Sequence, residues 1–346
     1  MRLAPFLGIE LPVVQAPMAG VQASALAVAV SNAGGLGSLP CAALTLEAMR
    51  KELAALKAGT RKPYNVNFFC HPPPAPSDER EAAWRALFAP YYREYGIDPA
   101  SIAAGAGRAP FTAEAAEVLA EFRPAVVSFH FGLPARALLA PVRALGAKIL
   151  ASATTVDEAR WLEAQGVDAI IAQGNEAGGH RGIFLGNDLS TQVGTFALLP
   201  QIVHAVKLPV IAAGGIADAK GVAAALALGA AGVQVGTAYL LCPEATTSAV
   251  HRTALKSEAA RHTAVTNLFT GRPARAIVNR LMREIGPLNN VAPSFPLAAA
   301  AMAPLRARAE SEGRGDFSPL WAGQSVSACR EVPAAALTRE LAGADP

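Results

Sequence analysis

A histidine and an arginine stand side by side in the glycine-rich stretch Ala177-Gly178-Gly179-His180-Arg181-Gly182, shortly after the apolar run Ala169 to Ala172. Glycine lets a backbone take positive φ and approach a ligand closely. A histidine held on such a loop can give or take a proton near neutral pH. Alone, the loop reads equally well as a tight surface turn with a solvated His-Arg pair. Two further apolar runs end in similar chemistry, in Ala213-Gly214-Gly215-Ile216-Ala217 and in Gln234-Val235-Gly236-Thr237. Backbone amides at such turns, aided by a following helix start, make an anion site.

The phosphate fingerprints that would name a carrier are missing: no GxGxxG follows the first apolar run, and there is no GxxxxGK[ST]. No carboxylate cluster suggests a divalent metal, so no metal site is expected. A mononucleotide such as FMN fits better. Asn67 and Gln173 are neutral amides able to pair with ring atoms in either sense. Ala16-Pro17-Met18 can pack against a flat ring, leaving His180 to face a substrate. Of the other histidines, His130 ends an apolar run near the expected ring. His71 opens a proline-rich turn and is expected at the surface, and His204, His251 and His262 are expected to be solvated or capping groups on helices.

The elements that must carry these residues alternate. Strands are expected at Val13–Met18, Gly34–Leu39, Tyr64–Cys70, Ala125–Gly132, Lys148–Ala153, Ala169–Ala172, Leu208–Gly215 and Gly232–Thr237, with helices between most of them. Eight such units over about 240 residues match a (β/α)8 TIM barrel, whose active sites lie at the carboxyl ends of the strands. An open doubly wound sheet is the alternative, less suited to eight consecutive units. A proline-rich break at His71–Pro76 opens an elaborated connection over residues 77–123. Its Tyr91, Tyr92 and Tyr95 are expected to form a satellite packing cluster. Beyond Tyr239 the strand pattern stops. Ser248–Arg261, Ala274–Ile285 and Pro296–Glu310 read as helices, which predicts a mostly helical cap over residues 241–317. The barrel then comprises 1–240 and 318–346.

Composition narrows the function classes. The 346 residues are 52% hydrophobic and 16% charged, as suits buried parallel strands wrapped by alanine-rich helices. A net charge of +3 without any basic stripe gives no case for nucleic acid. The four cysteines form no CxxC pair, which favours free thiols in a reducing compartment. No signal peptide is evident. The uncharged stretch Gly221 to Pro243 is broken by Gly229, Gly232, Gln234 and Gly236, so a helix, a turn and a strand explain it better than a membrane span. A soluble, cytoplasmic protein is expected, with monomer and homodimer both open.

Taken together, Gln15-Ala16-Pro17-Met18-Ala19-Gly20, Asn65-Val66-Asn67-Phe68, Ala177-Gly178-Gly179-His180-Arg181-Gly182, Ala212-Ala213-Gly214-Gly215-Ile216, Gly232-Val233-Gln234-Val235-Gly236-Thr237 and Trp321-Ala322-Gly323-Gln324 resemble the nitronate monooxygenases, class I, formerly called 2-nitropropane dioxygenases. The resemblance covers nearly the whole chain and is specific as a set. It implies an FMN-dependent oxidation of alkyl nitronates, propionate 3-nitronate foremost, by molecular oxygen to a carbonyl compound and nitrite with some nitrate. Carried over position by position, it implies FMN held by Asn67, Gln173, Gly178, Gly215, Gln234, Val235, Gly236 and Thr237, and His180 as the catalytic residue. The chain departs from the family pattern in the cap. No tyrosine follows Tyr239, and Phe295 and Arg306 stand where a tyrosine and a lysine are expected, so that a substrate carboxylate would turn to Arg306 or Arg181. The rivals are an NAD(P)H-dependent quinone or enoyl-thioester reductase on the same barrel, a phosphate-binding aldolase or synthase type, and an inert flavin binder.

Overall fold

The computed structural model describes residues 2–102 and 109–344. Residues 103–108 of the expected 77–123 connection lie outside the described residues. The apolar runs form strands β1 (Val13–Gln15), β2 (Gly37–Pro40), β3 (Tyr64–Phe69), β4 (Val126–His130), β5 (Lys148–Ala153) and β6 (Ala169–Gln173). After the two-residue β7 (Gly179–His180) come β8 (Val210–Ala213) and β9 (Gly232–Val235). Without β7, they make one parallel sheet in the order β1-β9-β8-β6-β5-β4-β3-β2. Its two outer members meet through a parallel bridge between Val14 and Leu36. There Gln15 N donates to the Leu36 carbonyl and Leu36 N to that of Val13, both at 2.9 Å. The sheet therefore comes round to a near-closed barrel of the TIM type.

Alternation along each strand sorts side chains between two environments. Val66, Phe68, Val127, Phe129, Ile170 and Ala212 point outward into the core shared with the helices. Val14, Leu36, Val126, Leu150, Ile171 and Ile211 point inward and, with Leu3 and Leu7 of the helix Leu3–Leu7, fill the amino-terminal half of the interior. Each such aliphatic side chain contributes roughly 1.5–3 kcal/mol on burial. Toward the carboxyl ends the interior turns polar, and its asparagine N–H groups find partners. Asn65 Nδ2 donates to Ser38 Oγ at 3.0 Å and to Ser128 Oγ at 2.9 Å, and Asn67 Nδ2 donates to Ser128 Oγ at 2.9 Å. The barrel thus has an apolar floor and a polar ceiling, and the ceiling carries the site.

The helices start where the chain offers caps. Thr45 accepts from Ala48 N, Thr155 from Glu158 N and Asp218 from Gly221 N. The last helix, Ala334–Leu341, docks on the barrel, with Tyr239 Oη and Thr338 Oγ1 2.8 Å apart. The uncharged stretch from Gly221 divides among the helix Ala219–Ala227, β9 and the 3₁₀ turn Thr237–Leu241. Among the described residues no helix is long and apolar enough to cross a membrane.

Residues beyond Tyr239 depart in part from the mostly helical reading. Two strands, β10 (Thr263–Thr266) and β11 (Ala274–Ile277), pair antiparallel, and β11 pairs in turn with β7. The expected helix over Ala274–Ile285 is instead a strand followed by the short helix Arg280–Glu284, capped by Asn279. β-branched Thr263, Val265 and Thr266 favour the extended state. Gly271-Arg272-Pro273 turns the chain before β11, and pairing with β7, far off in the chain, overrides the helical preference of the alanines. A separate apolar cluster joins Phe269, Met302, Leu305 and Phe317 to Trp84, Phe88, Tyr91 and Tyr92 of the earlier connection. The tyrosines therefore serve packing, as expected of them.

Candidate active site

A cavity opens at the carboxyl ends of the barrel strands, with about 1250 Å³ of empty space including its mouth, the size class of a cofactor site. His180 lies in its wall, buried. Three neighbours fix its backbone. β7 pairs it with Ala274 of β11. The Gln173 amide spans the loop, Nε2 donating to the His180 carbonyl at 3.0 Å and Oε1 accepting from Gly182 N at 2.7 Å. His130 Nε2 lies 3.2 Å from the same carbonyl and Nδ1 3.0 Å from Ser152 Oγ. A carbonyl only accepts, so Nε2 of His130 carries the hydrogen and Nδ1 receives that of Ser152. Burial, with Arg272 and Arg181 nearby, pushes His130 down to about 3, so it braces the loop as a neutral ring.

The ring of His180 sits among aromatic groups. Phe295, Trp321, Phe131 and Phe69 have ring centres 5.3, 5.4, 5.8 and 6.0 Å from it. Its Nε2 is 3.0 Å from Thr270 Oγ1. Phe131 follows β4 at φ 70, a strained conformation for a bulky residue, and this aims its ring across the site. The guanidinium of Arg272 stacks over the outer side of Phe131, 3.9 Å from the ring centre.

The opposite side, after β8 and β9, is made of glycine and unengaged backbone. Gly214 and Gly215 adopt φ +112 and +72. The amides of Gly215 and Thr237 donate to no other described residue. Gly178 is dictated by close approach: a Cβ there would lie 2.5 Å from backbone atoms of Ala322 and Gly323. Gln234 Oε1 is buried without a partner in the cavity wall. An orphaned acceptor beside a cradle of glycine amides fits a ligand with a phosphate at one end and polar ring edges at the other, which is the donor set a flavin nucleotide requires. The start of the helix after β8 does not contribute, because Asp218 caps it, whereas the 3₁₀ turn Thr237–Leu241 after β9 has no side-chain cap and begins with the open amide of Thr237.

Asn67, Gln173, Gly178, His180, Gly215, Gln234, Gly236 and Thr237 thus all line one cavity. Val235 differs. Its side chain packs in the outer core, and its carbonyl accepts from Ala16 N at 2.8 Å. Neither arginine offered to a substrate carboxylate reaches the cavity. Arg181 is fully buried, and burial lowers it to about 10. It donates to Gln192 Oε1 and to the carbonyls of Gly174 and Gln173 at 3.0, 2.7 and 2.8 Å. Arg306 pairs with Glu310 on an exposed helix face. Phe295 does reach the site, against His180. Two further expectations fail. His71 is buried with its ring edge-on to Phe295 at 4.7 Å, and His251 is buried in the cavity wall. Gln22, unmarked in the sequence, also supports the site: its Oε1 accepts from Met18 N at 2.9 Å and shapes the loop after β1. No local signal marks it, because its partners lie on three different strands or loops.

Known proteins resemble this chain over nearly its whole length. The sequence model of the family described as nitronate monooxygenase matches residues 1–343. A nitronate monooxygenase of Paraburkholderia phytofirmans is 44% identical over 342 residues, covering 98% of this chain and 93% of the relative. Another, of Pseudomonas aeruginosa, is 43% identical over 349 residues, covering 98% and 97%. Among solved structures, a nitroalkane oxidase from Streptomyces ansochromogenes superposes with a TM-score of 0.88 at 39% identity, covering 97% of this chain and 95% of that one.

Proposed function

The chain belongs to the nitronate monooxygenase family, and on that footing we propose that it oxidises alkyl nitronates, propionate 3-nitronate among them, with molecular oxygen on bound FMN, using His180 as its catalytic residue. That it is an oxidoreductase with nitronate monooxygenase activity, in a flavin-dependent family, follows from membership. The cofactor's identity, the site residues and the preferred nitronate are the proposal. The observation that carries it is the meeting of His180, on a loop braced from three sides, with the glycine cradle and the orphaned Gln234 acceptor in one cavity.

When bound, FMN supplies the electron-accepting ring that passes electrons from substrate to oxygen. The amides of Gly215 and Thr237, with Gly178 and Gly236, would hold its phosphate. Asn67, Gln234 and the second N–H of Gln173 would meet its polar edges. His180 faces the substrate. With a neutral nitroalkane the imidazole takes the α-proton, the C–H electron pair becomes the C=N bond of the nitronate, and negative charge collects on the nitro oxygens. With a preformed nitronate no proton need move, and His180 orients the anion. Phe69, Phe131, Phe295 and Trp321 make the surroundings apolar and restrict water. Residues 241–317, together with the helices over residues 78–95 that share their apolar cluster, are read as a cap that supplies this wall, over a barrel of residues 1–240 and 318–346.

No lysine or arginine among the described residues lines the cavity. Alkyl nitronates that lack a carboxylate are therefore expected to be oxidised at least as efficiently as propionate 3-nitronate of the same chain length. Oxygen uptake by the FMN-loaded protein with propionate 3-nitronate and with propyl nitronate, beside NADH plus a quinone, tests this reading. Uptake with both nitronates and no quinone reduction is expected. Quinone-dependent NADH oxidation without nitronate turnover would replace the proposal with a flavin reductase.

A further inference from the structure

His251 is the one buried histidine of the cavity wall that the reading above leaves without a task. It sits in the helix Ala249–Leu255, which is tied to the turn after β9. Arg252, its neighbour, donates to the carbonyls of Leu241, Cys242 and Ala245 at 2.9, 2.7 and 3.2 Å. That turn, Thr237–Leu241, carries Thr237 and Leu240 of the cavity wall, and Gly323 N donates to Thr237 Oγ1 at 2.9 Å. His251 is therefore held by rigid elements beside the glycine cradle.

Its ring is incompletely satisfied. Nε2 is buried and has no hydrogen-bond partner, and the backbone of Trp321 lies near the ring. A neutral imidazole has one N–H and one lone pair, and in the tautomer with the hydrogen on Nδ1, Nε2 presents the lone pair. Burial lowers the ring to about 4, which keeps it neutral and that lone pair available at ordinary pH. An orphaned buried acceptor is costly and calls for a donor.

On the reading that the cavity holds FMN, we propose that His251 Nε2 accepts a hydrogen bond from a hydroxyl of the flavin's polyol chain. The position decides between the parts of the ligand. The phosphate has acceptors only, which a lone pair repels. The polyol, which adjoins the phosphate, is rich in O–H donors, and the helix that carries His251 is tied through Arg252 to the turn that carries Thr237. The imidazole thus acts on cofactor affinity and leaves proton transfer to His180.

Flavin truncation tests this. The deflavinated full-length chain, its His251→Phe variant and its His251→Gln variant are titrated with FMN, riboflavin and lumiflavin by flavin fluorescence, with circular dichroism confirming the fold. His251→Phe is expected to weaken FMN and riboflavin about fivefold, the size of one neutral hydrogen bond. Lumiflavin, which lacks the polyol, should bind parent and variant alike. Glutamine, which can place an acceptor near the Nε2 position, should recover most of the loss. Should the phenylalanine variant not fold, His251→Gln and His251→Ala carry the same comparison. A loss confined to FMN would assign the contact to the phosphate. An equal loss with all three ligands would make it a ring or packing effect, and no loss would leave it without a ligand contact. Each of these overturns the assignment. A parent chain that takes up none of the three flavins overturns the FMN reading and this assignment with it.

Discussion

The two sides of the cavity do opposite things with their polar groups. On the β3–β6 side most are committed to one another, and Asn67 and Gln173 each keep one group for a ring edge. Gln173 holds the His180 loop with both ends of its amide, His130 holds it from below, and Asn67 is tied to Ser128. On the β8–β9 side they are held open, as the amides of Gly215 and Thr237 and the acceptors of Gln234 and His251. The difference separates two requirements of a cofactor enzyme. Committed groups position a reacting side chain to within fractions of an ångström, as catalysis needs. Open groups carry a desolvation cost in the empty protein that a ligand removes, which turns into affinity. A substitution on the first side should therefore act on turnover, and one on the second on binding.

Gly215→Val and Gln173→Leu make the sharpest pair. Valine at φ +72 brings roughly 1–3 kcal/mol of strain into the cradle, so FMN affinity should fall about 10- to 100-fold. Leucine at 173 leaves the His180 carbonyl and Gly182 N short of a partner. Turnover with nitroethane should then drop about tenfold, with a smaller change in FMN affinity. Flavin titration and steady-state oxygen uptake on both variants check the split. If Gln173→Leu weakens flavin binding more than turnover, the division between the two sides is wrong.

A smaller effect concerns acid stability. His130 and His251 are lowered to about 3 and about 4 in the folded protein, against about 6.5 in an unfolded chain. Each is neutral when folded and takes up a proton on unfolding, so its contribution is full above about pH 6.5. It is lost as the pH falls from there toward the folded values, by up to about 1.4 kcal/mol per pH unit for each ring. Urea midpoints between pH 7.5 and 5 should fall with this slope, and more gently in His130→Asn than in the parent. Equal slopes would mean that His130 is not held neutral.

Much of this could be read in the chain itself. Buried parallel strands are continuous apolar runs punctuated by glycine, so eight of them could be counted, and the His180 loop and the two glycine turns fell at strand ends where barrels keep their sites. What could not be read depends on contacts between distant segments. β11 is a strand because β7 pairs with it. His251 lies on a short helix whose sequence looks solvated, and it is buried because distant segments, Trp321 among them, return beside its ring. Arg181 looked available to substrate because its own sequence neighbourhood does not reveal that the carbonyls of Gln173 and Gly174 already fill its fork.

His180 is assigned to move a proton for neutral nitroalkanes and has little to move for nitronates. Oxygen uptake of the FMN-loaded parent and of His180→Asn, each with nitroethane and with preformed ethyl nitronate, decides whether it does. Retained flavin, a loss on the order of 10²-fold or more with nitroethane and a much smaller loss with ethyl nitronate is the expected result. Equal activity of the two proteins on nitroethane would contradict it.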